Sequence, residues 1–187
     1  GVVRVPEVTG DAMIAQLREA LATFDRKRLR GMIIDLRGAG GEEWPEAAVS
    51  LFTNRDVLWH EEDAGGTHHP VSRRGEIWPT ERPMAVLVDE RTTGAAEALA
   101  LVLQDLDIGY VVGQPTAGAL TRHAEVPLPD GATLRYPARR LVGAVAGAVA
   151  TRVTPTLQVA GADAQLAAAV ADVQRRLRKP SPRPPAR

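Results

Sequence analysis

The chain contains no cysteine, few aromatic residues, no excess charge of either sign and no long apolar run. Without cysteine, disulfides and thiolate metal sites are excluded. Because Lys plus Arg and Asp plus Glu both number 23, no overall field favours nucleic acid or an anionic membrane. No apolar run approaches the roughly 20 residues of a membrane-spanning helix. We therefore expect neither a nucleic-acid partner nor a membrane span.

Apolar residues make up 44% of the 187 positions, enough for the core of one domain, whereas aromatic residues make up only 4%. The core must therefore consist of Val, Leu, Ile and Ala. We expect one core domain over residues 1–179. Residues 180–187 are proline-rich and basic, which is typical of a disordered tail. Residues 2–5 have the pattern of a strand rather than of a signal peptide.

Residues 85–121 are the most informative stretch. The apolar run 85–88 is typical of a buried parallel strand. From Gly94 the leucines and valines recur at helical spacing, and residues 110–112 form a second β-branched strand. This order predicts a βαβ unit with parallel strands. The unpaired amides at the start of its helix would stabilise an oxyanion or a carboxylate.

A second glycine-rich turn follows another predicted strand at residues 32–34. It reads Asp-Leu-Arg-Gly-Ala-Gly-Gly over residues 35–41. Gly40 and Gly41 permit backbone angles that aim amides into a cleft. Taken alone, such a turn is a weak signal of function. Its pairing with the βαβ unit is more specific.

Together these stretches resemble the carboxyl-terminal processing (tail-specific) serine peptidases. That family has the motif D-L-R-G-N-x-G-G directly after one strand. Its following strand-turn-helix segment has V-L-V-D and then a serine three residues before a glutamate. The motifs Q-D and V-V-G-x-x-T-x-G-K come next. The matching residues fall in register without a gap: Val86 to Asp89, Ala95 to Glu97, Gln104, Asp105, Val111 to Gly113, Thr116 and Gly118.

The resemblance implies a fold and a context. It implies a ClpP/crotonase-like α/β core of stacked βαβ units, with a C-terminal β-hairpin region over 124–136 and a helix over 162–179. Relatives usually carry a PDZ domain before this core, and we expect none in this chain. A periplasmic or otherwise extracytoplasmic location, an extended peptide or protein C-terminal tail as partner, and no cofactor are likewise what the resemblance implies.

The chain departs from the family at the reacting groups. The nucleophilic serine position holds Gly94, the general-base lysine position holds Ala119, and a supporting glutamine is replaced by His123. The resemblance assigns the oxyanion and cleft backbone to Gly40, Gly41 and Ala95. A serine–lysine peptidase needs an oxygen nucleophile and a base within hydrogen-bond reach, which neither glycine nor alanine supplies.

Three functions follow as alternatives. The first is a non-catalytic pseudopeptidase whose cleft holds an extended peptide. The second is an active hydrolase with a rearranged site, using Thr93 as nucleophile and His123, Glu97 or Asp105 as base. The third is a binder of a small molecule or acyl ligand on the same fold. The scarcity of aromatic residues argues against a large flat apolar ligand.

Two further segments give weaker expectations. Residues 61–74 are polar and contain His68 and His69. Together with His60 and nearby acidic residues, they are of the types that ligate metal ions. We predict a mobile loop and no metal site, because no helical or strand spacing brings these groups together. Residues 138–150 are small and apolar, which predicts a loose hairpin or a self-association surface, so a homo-oligomer stays open.

Overall fold

The computed structural model describes residues 1–78, 82–143 and 149–178. Within them, the elements are β1 (Val2–Arg4), α1 (Gly10–Arg26), β2 (Met32–Asp35), α2 (Glu46–Ser50), β3 (Val57–Asp63), β4 (His68–Ser72), β5 (Met84–Val88), α3 (Ala95–Asp105), β6 (Gly109–Gly113), β7 (Thr121–Pro127), β8 (Thr133–Val142), β9 (Leu157–Gln158) and α4 (Ala162–Arg178).

A five-stranded sheet in the order β1-β2-β5-β6-β9 forms the centre of the fold, and every neighbouring pair is parallel. The predicted βαβ unit is confirmed as β5-α3-β6. Parallel pairing requires a crossover helix between consecutive strands, and α3 provides it here. All five residues of β5 are buried, as the continuous apolar run predicts.

The two faces of this sheet are covered by different helices. On one face, Ile34 and Val86 pack in the main core with apolar residues of α1 and α3. On the other face, Ile33 and Leu87 pack in a smaller cluster with Ala169 and Val173 of α4. Alternate residues of each strand thus face opposite sides of the sheet, and both faces are buried against helices.

A second, antiparallel sheet has the order β4-β3-β8-β7. The predicted hairpin around Pro129, Asp130 and Gly131 is present as β7-β8, with longer strands than the sequence indicates. The Leu128 amide donates to the Ala132 carbonyl at 2.7 Å and closes the turn. The fold is therefore the mixed α/β architecture with a hairpin region and C-terminal helix that the resemblance implies.

The prediction of a mobile loop at 61–74 is wrong, because most of this segment belongs to the β3-β4 hairpin. The Asp63 carboxylate accepts hydrogen bonds from the amides of Gly65 and Thr67 at 2.9 and 3.0 Å, and lies 2.8 Å from His69. This side chain organises the turn. The flanking residues are polar because both strands are partly exposed, and that hides the apolar alternation that indicates a strand.

Two other boundaries differ from expectation. The strand predicted at 153–159 shrinks to β9, since Pro155 has no amide to add to a ladder. The sequence predicts a loose hairpin at 138–150. In the structure, β8 extends to Val142, and an isolated β-bridge joins Val142 to Val149. Residues 144–148 and the predicted tail at 180–187 lie outside the described residues. No helix in the described part of the chain is long and apolar enough to cross a membrane.

Candidate functional site

The loops that follow β2 and β5 lie side by side at the carboxyl edge of the parallel sheet. The Gly38 amide donates to the Asp89 carboxylate at 2.8 Å, and the Thr92 hydroxyl donates to the Leu36 carbonyl at 2.9 Å. Parallel strands end at the same edge, so adjacent strands bring their following loops together. The two glycine-rich turns singled out in the sequence therefore form one site.

Glu97 connects the turn before α3 to the turn that precedes β7. Its side chain is fully buried. The carboxylate accepts hydrogen bonds from the amides of Gly94, Gly118 and Ala119 at 3.1, 2.7 and 2.7 Å, and from the hydroxyl of Thr116. A buried carboxylate is tolerable when donors satisfy it in this way. The positions of Gly94 and Ala119 are thus set by one side chain.

The peptide at Gly41 is turned so that its carbonyl faces the start of α3. The Ala95 amide donates to this carbonyl at 2.9 Å, and the Thr93 amide donates to the Ala39 carbonyl at the same distance. The expected oxyanion donor at Ala95 is therefore already engaged. The Gly40 carbonyl accepts the Val8 amide at 2.8 Å, and a Cβ on Gly40 would lie 3.4 Å from the methyl group of Thr93.

Gly94 fits this arrangement because it has no side chain. Its φ of 56° lies in a region that L residues rarely adopt. A Cβ built on Gly94 would lie 2.5 Å from the Gly41 carbonyl oxygen, well inside van der Waals contact. With the Gly41 peptide in this orientation, the space that a side chain at position 94 would need is occupied by backbone.

The predicted site residues Gly94, Ala119 and His123 all line one cleft, whose volume is about 460 Å³. Gly41 and Ala95 line it as well. His123 is exposed on β7, next to a register irregularity between Arg122 and His123. Such a bulge re-aims side chains relative to a regular strand. Thr93 also lines the cleft, whereas Glu97 lies buried beneath it.

One wall of the cleft is a charged network that the sequence reasoning missed. Arg122 lies 2.8 Å from both Glu46 and Glu61, and its guanidinium sits 4.9 Å from the ring centroid of Trp44. Glu61 is almost completely buried and also faces Arg139 at 3.5 Å. A buried glutamate within a strand indicates that it has a cationic partner. Which residue is that partner depends on how β3, β8 and β7 pair, so the sequence alone does not identify it.

The carboxylates under the two loops are ionised more readily than free aspartate. Burial works to raise the pKa of Asp89, but hydrogen bonds from the Gly38 amide and from Arg91 outweigh it, and the net pKa is lowered. Burial likewise works to raise the pKa of Asp35, and the hydrogen bonds and charge of Arg37 bring the net pKa below its ordinary range. Arg37 also donates to the Ala162 carbonyl at 2.7 Å, which ties the loop after β2 to α4.

The edge of the antiparallel sheet lies along the same cleft. β7 pairs only with β8 among the described strands, so its other edge is open. Thr121, Arg122, His123 and Glu125 of β7 line the cleft. Within the described residues, no group of three or more His, Asp or Glu side chains is placed to hold a metal ion.

The glycine-rich loop and the helix N-terminus thus lie at the carboxyl edge of the parallel sheet, where open α/β folds bind ligands, and an open strand edge runs along the same cleft. The family model for peptidase family S41 matches residues 1–159, and the chain belongs to that family.

Curated relatives agree with this assignment. The chain is 30% identical over 121 residues to the chloroplastic carboxyl-terminal-processing peptidase 2 of Arabidopsis thaliana, covering 63% of this chain and 24% of that protein. It is 27% identical over 154 residues to the nisin-resistance protein of Lactococcus lactis subsp. lactis, covering 72% and 48%. The chain thus spans at most about half the length of these relatives.

Solved structures show the same fold. A photosystem II D1 C-terminal processing protease superposes with a TM-score of 0.76 at 26% identity, covering 85% of this chain and 42% of that one. A lipoprotein from Streptococcus agalactiae gives a TM-score of 0.76 at 21% identity, covering 94% and 66%. The match in fold therefore extends over most of the chain.

Proposed function

We propose that this chain is a non-catalytic S41 domain that holds an extended peptide in the cleft beside β7. The observation that carries the proposal is the hydrogen bond from the Ala95 amide to the Gly41 carbonyl. It engages one of the amides to which the family resemblance assigns oxyanion stabilisation, and the Gly41 carbonyl leaves no room for a side chain at Gly94. Together with Gly94 and Ala119 at the positions of the nucleophile and the base, this contact supports a cleft that binds without cleaving.

Peptide binding is supported by the open edge of β7. An unpaired strand edge offers a row of amides and carbonyls to which an extended segment can add as another strand. Because the cleft runs beside this edge, a bound peptide would place its side chains against the cleft walls. The proposed interaction needs neither a nucleophile nor a base.

An active hydrolase is the second candidate, and one observation favours it. Thr93 and His123, an oxygen nucleophile and a base, line the same cleft. Against it, one of the amides that would stabilise the tetrahedral intermediate, that of Ala95, is engaged with Gly41. Hydrolysis by this pair would require the Gly41 peptide to rotate.

The test measures binding and turnover on the same preparation. A labelled extended peptide, followed by fluorescence anisotropy, is expected to bind saturably, and a quenched peptide library is expected to stay intact. Ala119→Trp should fill the cleft and weaken binding at least tenfold. Ala117→Trp is the matched control, because Ala117 is a nearby exposed alanine that does not line the cleft.

Two results would contradict the proposal. Absence of binding, or binding that Ala119→Trp leaves unchanged, would reject peptide recognition in this cleft. Turnover that survives repurification and is lost in Thr93→Ala or His123→Ala would establish the hydrolase instead.

A further inference from the structure

The two arginines that line the cleft are already paired with carboxylates. Arg122 contacts Glu46 and Glu61, both at 2.8 Å. Arg135 reaches Glu42 at 3.1 Å. Neither guanidinium is therefore an uncommitted positive charge for a ligand.

Two carboxylates in the same cleft have no such partner. Glu7 and Glu125 are both exposed and both line the cleft. Among the described residues, neither takes part in an ion pair or a side-chain hydrogen bond. Arg135 stands opposite Glu125 in the β7-β8 register, yet its guanidinium pairs with Glu42 instead.

These carboxylates belong to different walls. Glu125 is on β7, the open edge strand, whereas Glu7 follows β1 and forms a backbone bridge with Gly40. A peptide lying between the walls would meet both. The engaged Ala95 amide also leaves no free donor at that position for an acidic group, and the Gly41 carbonyl adds a further acceptor.

We propose that the cleft selects extended peptides with Lys or Arg side chains, and that Glu7 and Glu125 determine this selectivity. The inference rests on the proposed function, because it assigns a ligand class to the same peptide-binding cleft. Each carboxylate would pair with one basic side chain of the peptide. Because both groups are exposed to solvent, the pairs contribute modestly and weaken with salt.

The experiment compares three labelled peptides of equal length and backbone, in which two alternate positions carry Lys, Gln or Glu. At low ionic strength, we expect the Lys peptide to bind about three- to tenfold more tightly than the Gln peptide, and the Glu peptide to bind most weakly. Raising the salt to about 0.5 M should bring the three affinities together.

Variants assign the effect to the two residues. Glu7→Gln and Glu125→Gln should each reduce the preference for the Lys peptide, and the double variant should abolish it while the Gln peptide still binds. Glu125→Lys should shift the preference toward the Glu peptide. Glu19→Gln is the control, because it removes the same charge at an exposed position on α1 that lies outside the cleft. Circular dichroism checks that every variant is folded.

The outcomes separate the two proposals. If the Gln and Lys peptides bind equally, or if the double variant keeps the preference, the selectivity is refuted while peptide binding stands. If none of the three peptides binds, peptide binding itself is refuted and the selectivity falls with it.

Discussion

At the scale of single residues, the contact between the Ala95 amide and the Gly41 carbonyl explains why position 94 is glycine. Both the φ of 56° and the short approach to the carbonyl oxygen exclude a side chain there. Gly94→Ser would therefore bring a side chain against the Gly41 carbonyl. The Gly41 peptide would then have to rotate.

Gly94→Ala is expected to lower the free energy of unfolding by roughly 3 kcal/mol, from backbone strain plus overpacking against Gly41. Urea denaturation measures it. Gly131→Ala is the matched control, since its φ is 85° and nothing lies within 4 Å of a Cβ there. It should cost only about 1 kcal/mol. Equal costs for the two variants would show that the Gly41 carbonyl does not restrict position 94.

Glu97→Gln is expected to destabilise the fold by about 3 kcal/mol, because a glutamine amide would place a donor against backbone amides that need an acceptor. Chemical denaturation gives the value. Glu90→Gln makes the same charge change at an exposed position in the loop after β5, and should change stability by less than about 0.5 kcal/mol. A neutral result for Glu97→Gln would mean that this carboxylate does not hold the two turns together.

At the scale of elements, the site is a meeting of segments that are far apart in the sequence. The loop after β2 contacts the loop after β5 through Asp89, and contacts the start of α4 through Arg37. The carboxylates at the centre of these contacts make the arrangement sensitive to acid. The contacts between these segments are thus linked to the ionisation of the carboxylates.

The lowered pKa of Asp89 predicts how stability depends on pH. Because the folded pKa lies below the ordinary value of 3.8, the fold favours the ionised form, and this contribution is fully present above about pH 4. It is lost as the pH falls through the lower folded pKa. Unfolding free energy measured from pH 6 to pH 2 should therefore decrease on the acid side, and less steeply in Asp89→Asn. An unchanged slope in that variant would contradict the prediction.

At the scale of the whole molecule, the parallel sheet requires cover on both faces. The main core lies on the face of α1 and α3, and α4 alone supplies the helical cover of the smaller cluster among the described elements. A parallel sheet with one bare face would expose a continuous apolar surface. The loops of the site depend on this cover, since α4 also receives the bond from Arg37.

Val173→Asp is expected to cost more than about 3 kcal/mol, because it places a charge without a partner against the sheet. Val170→Asp changes the same helix in the same way at a side that is 37% exposed, and should cost less than about 1 kcal/mol. Thermal unfolding with a dye for exposed apolar surface compares the two. Similar melting temperatures would show that α4 is not required to cover the sheet.

The sequence by itself determined the elements that rest on local patterns. The β5-α3-β6 unit, the second glycine-rich turn after β2, the β7-β8 hairpin and α4 were all predicted, because apolar spacing and turn residues are local properties. The motifs also predicted that Gly94, Ala119 and His123 would lie at one site, and the structure places all three on the same cleft. Their roles stay predictions.

Only the tertiary structure decided the orientation of the Gly41 peptide, the four donors around Glu97 and the partners of Arg122. Each depends on contacts between residues many positions apart, and on the direction of single peptide groups. A rotation of one peptide changes which donor is free without changing any residue type. For that reason the sequence could indicate where the site lies, whereas the packing of two loops and two sheets decides which of its hydrogen-bonding groups remain open to a ligand.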